Sequence, residues 1–429
     1  MRILHTSDWH LGQYFYGKSR AAEHQAFLDW LLAQIDQLDI DALIVAGDLF
    51  DTGTPPSYAR SLYNAFVVQI QRRRCKLILL GGNHDSVAML NESKQLLACL
   101  GTDMVAAASE APAQQVVTVT NAEQQPIGLV CAIPYLRPRD IVRSEANQSA
   151  QDKQRSLQQQ IERHYREVYD AALAQRDALN QPGLPIIATG HLTTVGASSS
   201  ESVRDLYIGT LDAFPASAFP PADYIALGHI HRPQKIGGSD TIRYCGSPIP
   251  LSFDELGRDK EVLLIEFAEA PTPSVSALNV PLSQPMAMLK GDLASIEQQL
   301  AQFEGETDTT WLDIEVVAED YLSDLQARII ALTEALPVEV LLVRRARNRR
   351  NDSIEQQDKE TLAELTVQDV FARRLASEVF DGDAAEQRKQ RLQARFDQTL
   401  ALLAEAESEP DDPAQAMTAS ESVKPEAQS

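Results

Sequence analysis

The sequence predicts an α/β fold with parallel strands, and three observations carry that prediction. Short apolar runs of strand length alternate with amphipathic helical segments through the first hundred residues. Each of five apolar runs stops abruptly at a cluster of histidine, aspartate or asparagine. The 429 residues suffice for two or three domains, and an apolar fraction of 44% with 23% charged residues is that of a soluble globular protein.

In order, residues 2–7 read as a strand ending at Asp8-Trp9-His10. Phe27, Trp30, Leu31, Ile35 and Leu38 recur at helical spacing between Ala21 and Leu38. Ala42–Ala46 is a buried-type strand ending at Gly47-Asp48, and Pro55-Pro56-Ser57 opens a helix with Leu62, Phe66 and Ile70 on one face. Lys76–Leu80 is a third strand; Gly81 and Gly82 then allow a sharp turn into Asn83-His84-Asp85, and a helix is expected around Ala88–Leu100. Val116–Thr120 and Ile127–Ile133 read as a hairpin or the start of a second sheet. Residues 151–180 read as a polar helix making an excursion from the core. Strands resume at Leu184–Ala188, Tyr224–Leu227, Thr241–Cys245 and Glu261–Phe267.

The proline- and serine-rich stretch Pro271–Pro285 marks a boundary, giving a first domain over 1–275 and a small α/β unit over 286–345. A polar linker (346–365), two amphipathic helices (within 366–406) and an acidic tail (407–429) complete the expected organisation. From Glu405 onward there are seven acids and one lysine, with three prolines, a composition that reads as disordered. The paired helices carry apolar stripes (Val367, Val370, Phe371, Leu375, Val379; then Leu392, Phe396, Leu400, Leu403) with no domain core to cover, which points to docking on a partner.

Charge and cysteines bound the function. A formal net charge of −23 repels nucleic acid on average, so contact with DNA requires a local basic or metal-bearing patch, or a partner. Cys75, Cys99, Cys131 and Cys245 lie far apart without a Cys-x-x-Cys pair and read as reduced thiols of a cytoplasmic protein. No run approaches the ~20 apolar residues of a membrane span, and the N-terminus turns polar too soon for a signal peptide.

The chemistry sits at the strand ends: Asp8-x-His10, Gly47-Asp48, Gly82-Asn83-His84-Asp85, Gly190-His191 and Gly228-His229-Ile230-His231. Any one of these is an ordinary turn. Together they hold five of the eight histidines, and open α/β sheets bind ligands beyond the carboxyl ends of their strands. Carboxylate, imidazole and amide oxygen without thiolate favour Mn²⁺, Fe or Zn²⁺, and a pair of such ions needs a bridging anion, a part that Asp48 fits.

This set, in this order, resembles the calcineurin-like metallophosphoesterases. The resemblance implies two packed mixed sheets flanked by helices, with a small α/β capping domain and C-terminal partner-binding helices. It implies two divalent metal ions, most readily Mn²⁺, one held by Asp8, His10, Asp48 and His231 and the other by Asp48, Asn83, His191 and His229. It gives His84 the scissile phosphate, with Asp85 orienting the His84 ring. Leu4–Gly12 and Tyr244-Cys245-Gly246-Ser247-Pro248 narrow the likeness to the bacterial DNA-end nucleases that work with an SMC-like ATPase. That branch implies 3′–5′ exonuclease and hairpin endonuclease activity, a homodimer within a heterotetramer, and a cytoplasmic, nucleoid-associated setting. The chain departs from archaeal and eukaryotic relatives at Asp51, where they carry a histidine that positions the phosphate; here Asp51 reads as a loop-structuring acceptor.

Two other functions remain open on the residues alone: hydrolysis of a small phosphoester on the same fold, against which the extra C-terminal units argue, and a non-enzymatic DNA tether, against which the complete ligand set argues. Further features invite DNA. Tyr14, Phe15 and Tyr16 beside Lys18 and Arg20 suit either base stacking or packing of the loop. Arg137, Arg139 and Arg143, and the run from Arg344 to Arg350, suit either a phosphate backbone or a solvated face.

Overall fold

The computed structural model describes residues 1–141, 150–200, 202–203, 213–268, 272–317 and 325–345. All of them belong to one unit, Met1–Arg349. The expected linker, paired helices and acidic tail, Arg143, and the basic run beyond Arg345 lie outside the described residues.

The chain begins with β1 (Arg2–Thr6), a short hairpin β2 (Tyr14–Phe15) and β3 (Lys18–Ser19), then α1 (Ala21–Leu38), β4 (Ala42–Val45), α2 (Ser57–Gln71) and β5 (Lys76–Leu80). The helix expected over 88–100 is two, α3 (Val87–Glu92) and α4 (Lys94–Cys99); Ser86 caps the first through Met89 N–H, and the chain breaks at Ser93. There follow β6 (Thr102–Val105), β7 (Val116–Thr120), β8 (Pro126–Cys131), α5 (Pro138–Ile141), α6 (Ala150–Ala178), β9 (Ile186–His191), β10 (Tyr224–Gly228), β11 (Gln234–Lys235), β12 (Ile242–Tyr244), β13 (Glu261–Glu266) and β14 (Ser274–Asn279).

Two six-stranded mixed sheets pack face to face, in the orders β14-β13-β1-β4-β5-β6 and β11-β12-β10-β9-β8-β7. Strands β1, β4, β5 and β6 run parallel, as do β8, β9, β10 and β12. Their inner faces supply one apolar layer, with Ile3, Ile44 and Ile78 from the first sheet meeting Val119, Val130 and Ala226 from the second. Buried on both faces, these strands are near-continuous apolar runs, as parallel strands must be. Helices α1 and α2 cover the outer face of the first sheet through Phe27, Leu31, Phe66 and Ile70.

Helix α6 corrects one expectation. It is no excursion: Leu157, Ile161, Tyr165, Val168 and Ala172 are buried against the second sheet. The apolar residues recur every three to four positions, but the Gln- and Arg-rich remainder masks the stripe. The stretch Pro271–Pro285 is likewise only partly a connector, since β14 within it adds the edge strand of the first sheet.

The small unit comprises β15 (Met286–Gly291), α7 (Leu293–Leu300), β16 (Thr310–Val316), α8 (Leu325–Thr333) and β17 (Val338–Arg345), with a three-stranded parallel sheet in the order β15-β16-β17. Its helices cover one face of that sheet through Ile296, Ile314 and Ile329. On the other face Trp311 stacks on Phe15, which also meets Phe253, and Lys18 pairs with Glu339.

The β2–β3 hairpin is therefore largely a packing device. Phe15 is buried, Lys18 is ion-paired, and Arg20 is buried in a bidentate pair with Glu23 and covers the Phe15 ring. Tyr14 and Tyr16 remain 59% and 45% exposed. Arg344 is engaged with the buried Asp313. Cys75, Cys131 and Cys245 are buried and Cys99 is exposed. Among the described residues no helix is long and apolar enough to cross a membrane.

Candidate metal centre

The five polar strand ends come together where the two sheets meet. Asp8 follows β1, Asp48 follows β4, Asn83 follows β5, His191 closes β9, and His229 and His231 follow β10. Main-chain and side-chain bonds stitch them across the sheet boundary. His229 N–H donates to both Asp8 oxygens (3.0 and 3.1 Å), His191 Nδ1 donates to the Ala46 carbonyl (2.8 Å), and His84 N–H donates to Asp48 Oδ1 (2.8 Å).

The backbone is bent to achieve this. Asp8, His10, Asp48 and His229 all lie in the left-handed region, with φ of 54°, 47°, 51° and 94°. Non-glycine residues there cost roughly 1–3 kcal/mol each, and such strain gathers at functional sites. Gly82 allows the close crossing: a Cβ on it would run into the Asp48 amide and carboxylate.

Three clusters of ligand atoms result, Asp8/His10/His231, His10/Asp48/His84 and Asp48/His191/His229, the atoms of each lying within 4.8 Å of one another. Asp48 belongs to two of them. Asn83 Oδ1 lies 2.8 Å from His191 Nε2, so the amide oxygen faces the same space. All of these residues are buried except Asn83 and His84, which are partly exposed at the mouth.

The donor set fits divalent cations. Among the described residues, His10 Nε2 and His229 Nε2 are buried polar atoms with no hydrogen-bond partner, a costly state unless something else accepts their lone pairs. His10 Nε2 lies 3.6 Å from Asp48 Oδ2, and His229 shares a cluster with Asp48 and His191. Burial disfavours charge on His191, but the Asp48 carboxylate, its hydrogen bond and Asp8 overcome this and raise the ring to about 9. Burial similarly opposes ionisation of Asp48, yet His191, His10 and His84 hold it well below the usual carboxylate range. Buried beside the cationic His191, His229 is pushed well below the usual imidazole range.

The rings present Nε2 because their Nδ1 atoms are already engaged. His10 Nδ1 bonds Asp51 Oδ1 (3.1 Å), His191 Nδ1 bonds the Ala46 carbonyl, and His231 Nδ1 bonds Ser202 Oγ (2.6 Å) with Glu255 Oε1 at 3.4 Å. Asp51 is thus more than a loop acceptor, since its carbonyl also takes His84 Nδ1–H at 2.8 Å.

Asp85 requires a correction. Its carboxylate does not orient His84 but accepts the N–H groups of Leu49, Phe50 and Gly82 (3.1, 3.0 and 2.9 Å), tying the loop after β4 to the loop after β5. Arg137 in turn donates to the Asp85 carbonyl at 3.1 Å, so this arginine props the loop instead of lying free along a surface. Glu255 and Ser202 were not legible as site residues, because nothing in Phe253-Asp254-Glu255-Leu256 separates a buried acid from a solvated one, and Arg137 was legible as a basic residue but not as a prop of the Asp85 turn.

A two-sheet sandwich with histidine, aspartate and asparagine at strand ends of both sheets defines a metal-dependent phosphoester hydrolase. Comparison with known proteins agrees. The family model for calcineurin-like phosphoesterases matches residues 1–233, and that for the type 5 capsule protein repressor C-terminal domain matches 283–379. The chain is 58% identical over 406 residues to SbcD, the D component of the nuclease SbcCD, from Escherichia coli (strain K12), covering 94% of this chain and 99% of that protein. It is 32% identical to the protein of that name from Rhodobacter capsulatus (87% and 94% covered) and 30% identical to that from Bacillus subtilis (75% and 81% covered). The chain belongs to the calcineurin-like phosphoesterases and, within them, to the family of the SbcD components of SbcCD nucleases.

Proposed function

We propose that the chain is a metal-dependent DNA nuclease, the hydrolytic component of an SbcCD-type complex whose other component is an SbcC-type SMC-like ATPase. In this reading it acts on double-strand ends as a 3′–5′ exonuclease and on hairpins as an endonuclease, in DNA repair and recombination. The observation that carries the reading is the convergence of Asp8, His10, Asp48, Asn83, His191, His229 and His231, with His10 Nε2 and His229 Nε2 buried and lacking a hydrogen-bond partner among the described residues. The names of the relatives supply the nuclease and its complex.

Asp8, His10, Asp48 and His231 would hold one ion and Asp48, Asn83, His191 and His229 the other, with Asp48 between them. When bound, two divalent cations neutralise phosphoryl charge and make a water nucleophilic at neutral pH. The ligand types accept Mn²⁺, Fe or Zn²⁺, and we take Mn²⁺ as the ion that the family resemblance implies most readily.

His84 is the residue left over for proton transfer. Its Nδ1–H is fixed on the Asp51 carbonyl, an acceptor only, so that proton stays in place and Nε2–H is the one to be delivered to the leaving 3′ oxygen. The ring lies edge-on to His10, with centroids 4.6 Å apart, at the exposed mouth where a phosphodiester would enter. Asp85 supports this indirectly, by fixing the turn that carries His84.

In the proposed division of labour, residues 1–275 perform hydrolysis, 286–345 cap the nuclease, and the helices within 366–406 bind the ATPase in a heterotetramer built on a dimer of this chain. The setting is the cytoplasm, at the nucleoid. The test is cleavage of blunt duplex and hairpin DNA with the metal varied and the ATPase added or omitted. Metal-dependent cutting of both is expected; hydrolysis of mononucleotide phosphoesters without action on DNA would instead favour the small-substrate function.

A further inference from the structure

The segment from Tyr244 to Lys260 carries a motif that the reaction above does not use, and it forms the back wall behind His231. Leaving β12, the chain turns through Gly246 at φ 78°, where a Cβ would meet the His231 carbonyl oxygen at 2.7 Å. Ser247 N–H and Lys260 Nζ both donate to that carbonyl, at 3.2 and 3.1 Å. The main chain of His231 is therefore clamped from behind.

Its ring is clamped from the same segment. Glu255 is only 3% exposed, yet its carboxylate is surrounded by donors: Ser200 Oγ at 3.0 Å, Ser247 Oγ at 3.2 Å, Leu251 N–H at 3.1 Å, Lys260 Nζ at 2.5 Å, and Ser202 Oγ. Ser202 Oγ lies 2.6 Å from His231 Nδ1, and Glu255 Oε1 lies 3.4 Å from the same nitrogen. A buried ionised pair costs several kcal/mol of desolvation and is not what packing alone would select. An ionised carboxylate can only accept. Facing it, directly or through one hydroxyl, the nitrogen that carries hydrogen must be Nδ1.

We propose that Glu255 is a positioning residue for the metal centre, holding His231 as the Nδ1–H tautomer so that its Nε2 lone pair faces Asp8 and His10, with Ser202 as bridge and Lys260 as counter-ion. This rests on the reading of His231 as a metal ligand. Carboxylates behind ligating imidazoles fix the tautomer and raise basicity, and their loss typically weakens metal binding ~10–100-fold.

Mn²⁺ titration of the full chain by calorimetry and electron paramagnetic resonance tests this. Wild type and His84→Gln should bind two ions. Glu255→Gln, with unchanged circular dichroism, should bind one of the two about 10–100-fold more weakly and the other normally, and Ser202→Ala should show a smaller loss. A folded Glu255→Gln chain that binds both ions as wild type does overturns the proposal while leaving the dinuclear reading intact. Wild type that binds no Mn²⁺ overturns the dinuclear reading and this proposal with it. Long-range ¹H–¹⁵N correlation of the histidine-labelled wild-type chain with Zn²⁺, assigned through His231→Gln, needs no folded Glu255 variant. Protonated Nδ1 on His231 supports the proposal, and metal on Nδ1 overturns it.

Discussion

His84 and Asp85 are neighbours with different work. His84 faces the mouth with Nδ1 held by a carbonyl, while Asp85 is buried with three backbone amides on its carboxylate. Exchanging His84 for Gln should abolish DNA cleavage, by ~10²-fold or more, and leave bound Mn²⁺ unchanged by elemental analysis; wild-type-like cutting by that variant removes His84 from the reaction. A second residue-scale prediction concerns two histidines outside the centre. His5 is buried between Tyr224 Oη and the Leu227 carbonyl, and His24 is buried on the inner face of α1; burial, opposed by few compensating bonds, depresses both to about 3. Between pH 6.5 and 3 the unfolded chain binds more protons than the folded one at these two sites, so stability is present above 6.5 and falls as the pH falls. At about 1.4 kcal/mol per pH unit below 6.5 for each group, these two sites together withdraw about 3 kcal/mol between pH 7.5 and 5.5, while the raised His191 titrates over the same window with the opposite sign, so the quantity to read is the difference between wild type and variant in urea unfolding with chelator present. His5→Gln should lose about 1.4 kcal/mol less than wild type over that interval, and a pH dependence unchanged in this variant refutes the assignment.

At the scale of elements, the strands that carry the centre were legible because burial on both faces leaves uninterrupted apolar runs, and their polar ends stand out against them. Helix α6 was legible as a helix but not in its place: its buried stripe of Leu157, Ile161, Tyr165 and Val168 is diluted by polar residues on a wider exposed face, so its seat against the second sheet shows only in the packing. Edge strand β14 was hidden by the prolines on either side of it. The ligand set was readable as residue types, whereas the groups behind it were not. Glu255 reaches His231 over 24 positions of chain, Arg137 reaches Asp85 over 52, and no local spacing encodes either. The turn after β5 supports an element-scale prediction. Gly82 passes so close to Asp48 that any side chain displaces either the Asp48 carboxylate or the loop bearing Asn83 and His84. Gly82→Ala should therefore lose both nuclease activity and at least one bound Mn²⁺, in contrast to His84→Gln, while far-ultraviolet circular dichroism stays that of the wild type. Retention of two ions would show that the crossing relaxes without cost to the centre.

On the scale of the molecule, the centre is where the two sheets are joined by polar groups. Asp8, Asp48 and Asn83 come from the first sheet, and His191, His229 and His231 from the second, so a cation bound by both sets cross-links layers otherwise held by an apolar interface. Among the described residues, His10 Nε2 and His229 Nε2 at the centre have no hydrogen-bond partner, and the strained backbone at Asp8, His10, Asp48 and His229 gains an offset only from coordination. Binding to the folded chain alone adds stability by mass action, about 2.7 kcal/mol per site at a free concentration 100 times Kd. Two sites filled to that degree give about 5 kcal/mol, enough to raise Tm by several degrees in a chain of this size. Chelator should thus lower Tm, Mn²⁺ should restore it in a concentration-dependent way, and His191→Ala should shrink the difference between the two conditions. A Tm indifferent to chelator and to Mn²⁺ would mean that the sheets are not bridged through these residues, and the centre would have to be sought elsewhere in the fold.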